Sequence, residues 1–210
     1  MNNIQNPVYI FTRRIVSPFQ DLIIDYPFAT GFKTLNIQNI INSRIIKTVN
    51  ELIYEQTGKL LEQGYKSPQM TVQGWYEIKT NEKGVLSLSI GNYTIAYPAA
   101  HGLTIIKSLT FDISTGKEYR LEELFKPGSD YVGTLSKIIE RQIKEREIPI
   151  LGEFKGIRPN QDYYIADKAL VIYFQLYEIT PYAFGFPMFP ISVYEIQDII
   201  REGSPLAAML

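Results

Sequence analysis

Apolar and polar positions alternate or recur with enough regularity to divide the chain into elements. Val8 to Val16 and Phe19 to Tyr26 are rich in Val, Ile, Tyr and Phe and read as two strands joined around Ser17-Pro18. From Asn36 to about Gly64 the period changes. Ile37, Ile41, Ile45, Val49, Leu52 and Ile53 recur at steps of four and three, the apolar stripe of a helix. Thr34 or Asn36 can cap its start, Gly58 can divide it, and Gly64 supplies its stop. Two alternating strands follow at 70–79 and 84–95, with turn chemistry from Thr80 to Gly84 between them. Leu86, Leu88 and Ile90 interleave with Ser87 and Ser89, which predicts a sheet with one face in water. Leu103 to Ile113 is a further strand, its apolar face interrupted by Lys107. Leu121 to Phe125 reads as one helical turn. A second helix, capped by Ser129 or Asp130, carries Val132, Leu135, Ile138, Ile139 and Ile143 and ends at Ile148-Pro149.

The last third is organised around 168–192. Leu170, Ile172, Phe174 and Leu176 point one way and Val171, Tyr173 and Tyr177 the other, the pattern of a strand buried on both faces. A turn at Asp167-Lys168 pairs it with Tyr163 to Ala166. It runs into a proline-punctuated loop, Pro181 to Pro190, that carries Tyr182, Phe184, Phe186, Met188 and Phe189. Val193 to Arg201 reads as a short helix and Gly203 to Leu210 as a loose tail. The order strand, helix, hairpin occurs at 19–95 and again at 103–177. The expected fold is therefore α+β: two βαββ-like halves, 1–98 and 99–210, in one compact unit, with mostly antiparallel sheet and helices on one face.

Composition narrows the chemistry. The net charge of -1 argues against nucleic-acid binding and against a polybasic membrane contact. No apolar run reaches membrane-spanning length, so membrane insertion is not expected. The opening residues have neither the basic start nor the apolar run of a signal peptide, and the chain as written carries no export address. With no cysteine there is no thiolate nucleophile and no Cys-held zinc. His101 is the sole histidine, and no nucleophile or orienting carboxylate stands at a catalytic spacing from it. It reads as a turn histidine bonded to backbone at the joint Tyr97 to Gly102. Thr57-Gly58-Lys59 and Thr115-Gly116-Lys117 lack the upstream glycine of a phosphate loop. Neither a metal site nor a cofactor is expected. Asp25, Glu77, Glu153 and Glu178 are the scattered acids from which a two-carboxylate hydrolase would have to be built. The aromatic run is the better candidate. If exposed, it is a contact patch; if the loop folds back, as proline-rich loops often do, it closes the core.

Particular motifs carry a resemblance. Ala100-His101-Gly102, Thr110-Phe111-Asp112, Leu121-Glu122-Glu123-Leu124-Phe125 and Tyr177 to Gly185 with Pro190-Ile191 resemble a domain of unknown function. That domain forms the C-terminal part of the ectodomain of RsiV, the lysozyme-sensing anti-sigma factor, and lies beside the catalytic domain of certain peptidoglycan deacetylases. The helix from Asn39 to Asn50 and the strand Gly84 to Leu88 resemble the companion domain that precedes it. The resemblance implies an α+β fold without catalysis of its own, in a bacterial, envelope-associated and extracytoplasmic family. It implies a binding or sensing role toward a lysozyme-like protein or a peptidoglycan fragment. The ligand-binding candidates are then Tyr97, His101, Tyr182, Phe184, Phe186, Met188 and Phe189. A hydrolase of envelope glycan and a self-associating envelope or sporulation protein stand as the alternatives.

Overall fold

The computed structural model describes residues 7–210; the first six residues of the opening segment lie outside it. β1 (Tyr9–Val16) and β2 (Asp21–Thr30) form an antiparallel pair. The helix α1 (Leu35–Glu62) crosses to β3 (Met70–Glu82), which runs parallel to β2 over Asp21 to Ile24. β4 (Val85–Ala96) and β5 (Leu103–Asp112) complete a five-stranded sheet in sequential order. After a 3-10 turn at Leu121–Leu124 come α2 (Tyr131–Glu145), β6 (Tyr163–Ala166), β7 (Ala169–Tyr173) and β8 (Met188–Ser192). The last three form a second, antiparallel sheet with β7 in the middle. The class is α+β. The strand that opens the second βαββ repeat, β5, is hydrogen-bonded to β4 and belongs to the first sheet.

α1 is continuous through Gly58. Thr34 Oγ1 accepts the Ile37 N–H at 3.3 Å. At the other end Gly64 N–H reaches Leu61 O and Tyr65 N–H reaches Leu60 O, with Gly64 at φ +91. These two bonds close the helix in the glycine-dependent way its sequence predicts. Ile37, Ile41, Ile45, Val49 and Leu52 are buried against Leu86, Leu88, Ile90, Leu109 and Phe111 of the first sheet. The second core lies between α2 and one face of the second sheet, where Leu135, Ile139 and Ile143 meet Ile165, Leu170, Ile172 and Phe189. Asp130 Oδ1 caps α2 by accepting the Gly133 N–H at 2.9 Å.

Three expectations change. Ser87, Ser89 and Thr110 are buried, not wet. The second sheet stands on that face with the edge of β6, and the hydroxyls serve its backbone. Ser87 Oγ accepts the Ile165 N–H at 3.0 Å, Thr80 Oγ1 donates to Ile165 O at 2.8 Å, and Ser108 Oγ donates to Tyr163 O. Residues 193–201 form two 3-10 turns, not a helix. The tail is packed: Leu206 and Met209 are fully buried in the second core, and Ser204 Oγ donates to Leu124 O at 3.3 Å.

Candidate functional site

β4 ends where Tyr97 N–H donates to Gln69 O at 2.9 Å, and the Tyr97–Pro98 bond is cis. The chain turns through His101 and re-enters the sheet at Gly102. Glycine is required there, because a Cβ would lie 2.6 Å from Thr94 O and 2.5 Å from the Tyr93 ring. The Gly102 carbonyl collects two side chains. His101 Nδ1 lies 3.2 Å from it, and the Tyr182 hydroxyl donates to it at 3.3 Å. The His101 and Tyr182 rings sit 5.0 Å apart, and Tyr177 follows 5.3 Å beyond Tyr182. A row of three rings therefore joins the β4–β5 connection to the loop after β7. The row borders a cavity of about 360 Å³ with mostly apolar walls, set between the last turns of α1 and the end of β4. Leu60, Tyr65, Ala99 and Tyr177 contribute to those walls.

A buried polar group lies at the base of this cavity. Gln56 Nε2 donates to Leu103 O at 2.8 Å, and its Oε1 accepts from Asn92 Nδ2 and, at 3.4 Å, from Thr94 Oγ1. The Asn92 side-chain carbonyl is buried without a partner among the described residues. This group fixes the side-chain amide of α1 against β4, so the wall that Gln56 and Thr94 supply is held in place.

The other sequence candidates separate. Tyr97 projects into solvent beside the joint. Phe184 is exposed on a 3-10 turn, and Phe186 is half-buried. Residues 188–192 are the strand β8 rather than a loop, and alternation sends neighbours to opposite faces. Met188 faces the first sheet, where Tyr164 Oη donates to its Sδ at 3.4 Å. Phe189 faces α2, is fully buried and meets Phe174 edge-on at 5.8 Å. As a contact residue it is corrected to a core residue. Tyr177 belongs to the row of rings, although alternation along the sequence places it on the central strand. That strand stops at Tyr173, and Tyr177 takes a left-handed backbone, φ +65. The polar Gln175 and Glu178 mark the break. Gln175 N–H donates to Glu178 Oε2 at 2.8 Å and Glu178 N–H to Gln175 O at 3.1 Å.

A second cavity, about 430 Å³, lies between α1 and β5. Lys107, the charge that interrupts the apolar face of β5, lines it. Three of its four acids are matched to cations, and the fourth, Asp162, accepts from the Gln175 amide at 2.9 Å. Arg44 grips Glu118 with two hydrogen bonds of 2.6 and 3.2 Å and reaches Glu51 at 3.4 Å, and Glu55 pairs with Lys59 at 2.9 Å. Of the scattered carboxylates, Asp25 pairs with Arg14, Glu77 with Lys79 and Glu178 with Arg158. The Arg14 guanidinium holds the Asp25 carboxyl below its usual range by hydrogen bonding. Among the described residues no group of three or more His, Asp or Glu is placed to hold a metal ion. No helix there is long and apolar enough to cross a membrane.

Comparison with known proteins follows the same lines. The chain is 27% identical over 186 residues to a protein named anti-sigma-V factor RsiV from Bacillus subtilis strain 168. That match takes in 83% of this chain and 63% of the relative's length. A crystal structure of a DUF3298 family member from Bacteroides fragilis NCTC 9343 superposes over 100% of this chain and 99% of its own, with a TM-score of 0.72 at 13% identity. A DUF3298 family protein from Pseudomonas aeruginosa PAO1 does so over 93% and 94%, with a TM-score of 0.66 at 11% identity. Residues 122–194, which span α2 and the whole second sheet, match the family model described as Protein of unknown function (DUF3298). The resemblance read from the motifs therefore holds: the chain carries a DUF3298 match over its second core and has the fold of solved members of that family.

Proposed function

We propose that this chain is a non-enzymatic binding and sensing module that meets a protein of the lysozyme type through the row His101, Tyr182, Tyr177 and the cavity behind it. The observation that carries the reading is the row itself. Three rings from two separate loops stand beside an apolar cavity, with Tyr97 and Phe184 exposed nearby. Tyrosine rings held this way offer large contact area at low entropic cost, the composition of a recognition surface. The similarity to a protein named as an anti-sigma factor supports a signalling setting and is in keeping with an extracytoplasmic location.

Calorimetric titration of hen egg-white lysozyme into the chain tests this. Binding is expected, weakened at least tenfold by Tyr177→Ala, while Tyr194→Ala, at an exposed tyrosine outside the row, leaves it unchanged. Binding that is equally strong in Tyr177→Ala moves the contact elsewhere. Binding of muropeptides with no heat from lysozyme replaces the protein partner with a glycan.

A further inference from the structure

Sheet edges carry unpaired N–H and C=O groups, and three of the four edges here are covered by side chains or loops. Along β5, the Gln175 amide donates to Ile106 O at 2.7 Å and accepts its N–H at 3.2 Å, and Tyr119 N–H serves Thr110 O at 2.9 Å. Along β6, Ser87, Thr80 and Ser108 do the same work. Along β8, Arg146 donates to Met188 O and Gln142 to Pro190 O, each at 2.8 Å. β1 differs. Among the described residues it is paired on one side only, with β2. It spans eight residues, with no proline and no break in register, and it exposes Tyr9 by 70%, Phe11 by 58% and Val16 by 63%. An edge of that kind is a template for another strand.

The register says which groups are free. Ser17 N–H donates to Leu22 O at 3.3 Å, and the one-to-one pairing continues to Tyr9 opposite Thr30. Odd-numbered residues therefore bond β2, and Ile10, Thr12, Arg14 and Val16 turn their N–H and C=O groups outward.

We propose that β1 pairs antiparallel with β1 of a second copy of this chain, about a two-fold axis through Thr12, so that two sheets become one. This register is self-complementary. Thr12 meets the partner's Thr12, a favourable cross-strand pair. Tyr9 meets the partner's Ile15, and Phe11 meets the partner's Arg13. Ile10 and Arg14 exchange backbone bonds with the partner's Arg14 and Ile10, giving about six bonds in all. The charges favour a second copy over an acidic peptide. Arg14 is already held by Asp25 through two bonds of 2.7 Å, and the Arg13 guanidinium lies 3.5 Å over the Phe28 ring. An axis one residue on would set Arg13 against itself, and an axis one residue back would give up the Thr12 pair, so the axis proposed is the one through Thr12.

Analytical ultracentrifugation and a cysteine scan of the whole chain test the proposal. Wild type is expected to pass from monomer to dimer as concentration rises, with a Kd on the order of 10 µM, as befits a small contact. Thr12→Pro removes an outward N–H and no bond to β2. It should raise the Kd at least tenfold with an unchanged circular dichroism spectrum. The chain has no cysteine, so a single introduced thiol reports the register. Hydrogen-bonded antiparallel partners lie about 5.5 Å apart at Cα, within disulfide reach. Thr12→Cys should therefore cross-link at least tenfold faster than Ile10→Cys. A wild type that stays monomeric far above that concentration, or equal cross-linking at both positions, overturns the proposal.

Discussion

Removal of the Ser87 hydroxyl tests how the two sheets are joined. Ser87 is fully buried; its Oγ accepts the Ile165 N–H at 3.0 Å and lies 2.9 Å from Thr110 Oγ1. In Ser87→Ala the side chain loses one atom and leaves almost no cavity, so packing changes little. The Ile165 N–H, on a fully buried residue, is left without an acceptor. An unsatisfied buried donor costs about 1–3 kcal/mol. At this chain length that is a fall in Tm of roughly 2–12 °C. Thr80→Val acts on the same residue from the other side. It strands Ile165 O, while the Asp167 N–H that Thr80 Oγ1 accepts at 3.2 Å lies beside an exposed residue and can turn to water. The two hydroxyls serve the two backbone groups of one residue, so the effects should be non-additive by about 0.5 kcal/mol or more in the double variant. Ser89 is the control. It sits two residues on, on the same face, and its hydroxyl makes no hydrogen bond among the described residues, so Ser89→Ala should fall within about 0.5 kcal/mol of wild type. Urea unfolding with linear extrapolation measures wild type, the three single variants and the Ser87→Ala/Thr80→Val double variant. Ser87→Ala and Ser89→Ala of equal stability would show that the hydroxyl seam contributes nothing and that the sheets are held by Tyr164 and Tyr173 packing alone.

Two further outcomes follow from burial. Leu206 is fully buried against the second core, so Leu206→Ala should cost about 2–5 kcal/mol in the same urea assay; an unchanged midpoint would mean the tail is dispensable. Burial pushes the phenols of Tyr163 and Tyr173 up, to well above the ordinary value in both cases. A group whose folded pKa is raised stabilises the fold fully below its unfolded value of about 10, and that contribution is lost as pH rises through the folded value. Phenolate absorbance should therefore show these two rings ionising only together with loss of the circular dichroism signal. Full ionisation of all 15 tyrosines in a folded chain would contradict it.

Periodicity alone located both helices and all but one of the strands. The stripe of α1 and the stop at Gly64 are local facts, written in residues three and four apart and in one glycine's freedom. Lys107 was also legible, since a charge on an apolar face means that the face opens there, and it lines the larger cavity. The failures were non-local. Ser87, Ser89 and Thr110 alternate with apolar neighbours in the same way whether they face water or the edge of another strand. Only the position of β6, more than fifty residues further on, decides between the two. Leu206 and Met209 lie in a sequence too short and too rich in small residues to show a period, yet both are fully buried in the second core. The prolines around Met188 and Phe189 suggest a loop, and a loop would let both join one patch. Once Met188–Ser192 pairs with β7, adjacent side chains must part to opposite faces. Tyr177 was hidden by the same extrapolation in reverse, an alternation carried four residues past the end of its strand.

The buried serines bear directly on the site. His101 and Gly102 belong to the connection within the first sheet, whereas Tyr177 and Tyr182 leave the second sheet after β7. Their alignment depends on how one sheet stands on the other. That relation is set by directional bonds: hydroxyls of β3, β4 and β5 to the edge of β6, the Gln175 amide to Ile106, and the Tyr173 hydroxyl to Ser108 Oγ at 3.0 Å. An apolar interface of the same size would let the sheets slide by fractions of an ångström at little cost. Hydrogen bonds of fixed length and angle do not. The polar seam therefore fixes a row of rings that neither sheet could hold alone. It also explains why residues that look like a solvent face are buried in a chain whose candidate function depends on positioning rather than on chemistry.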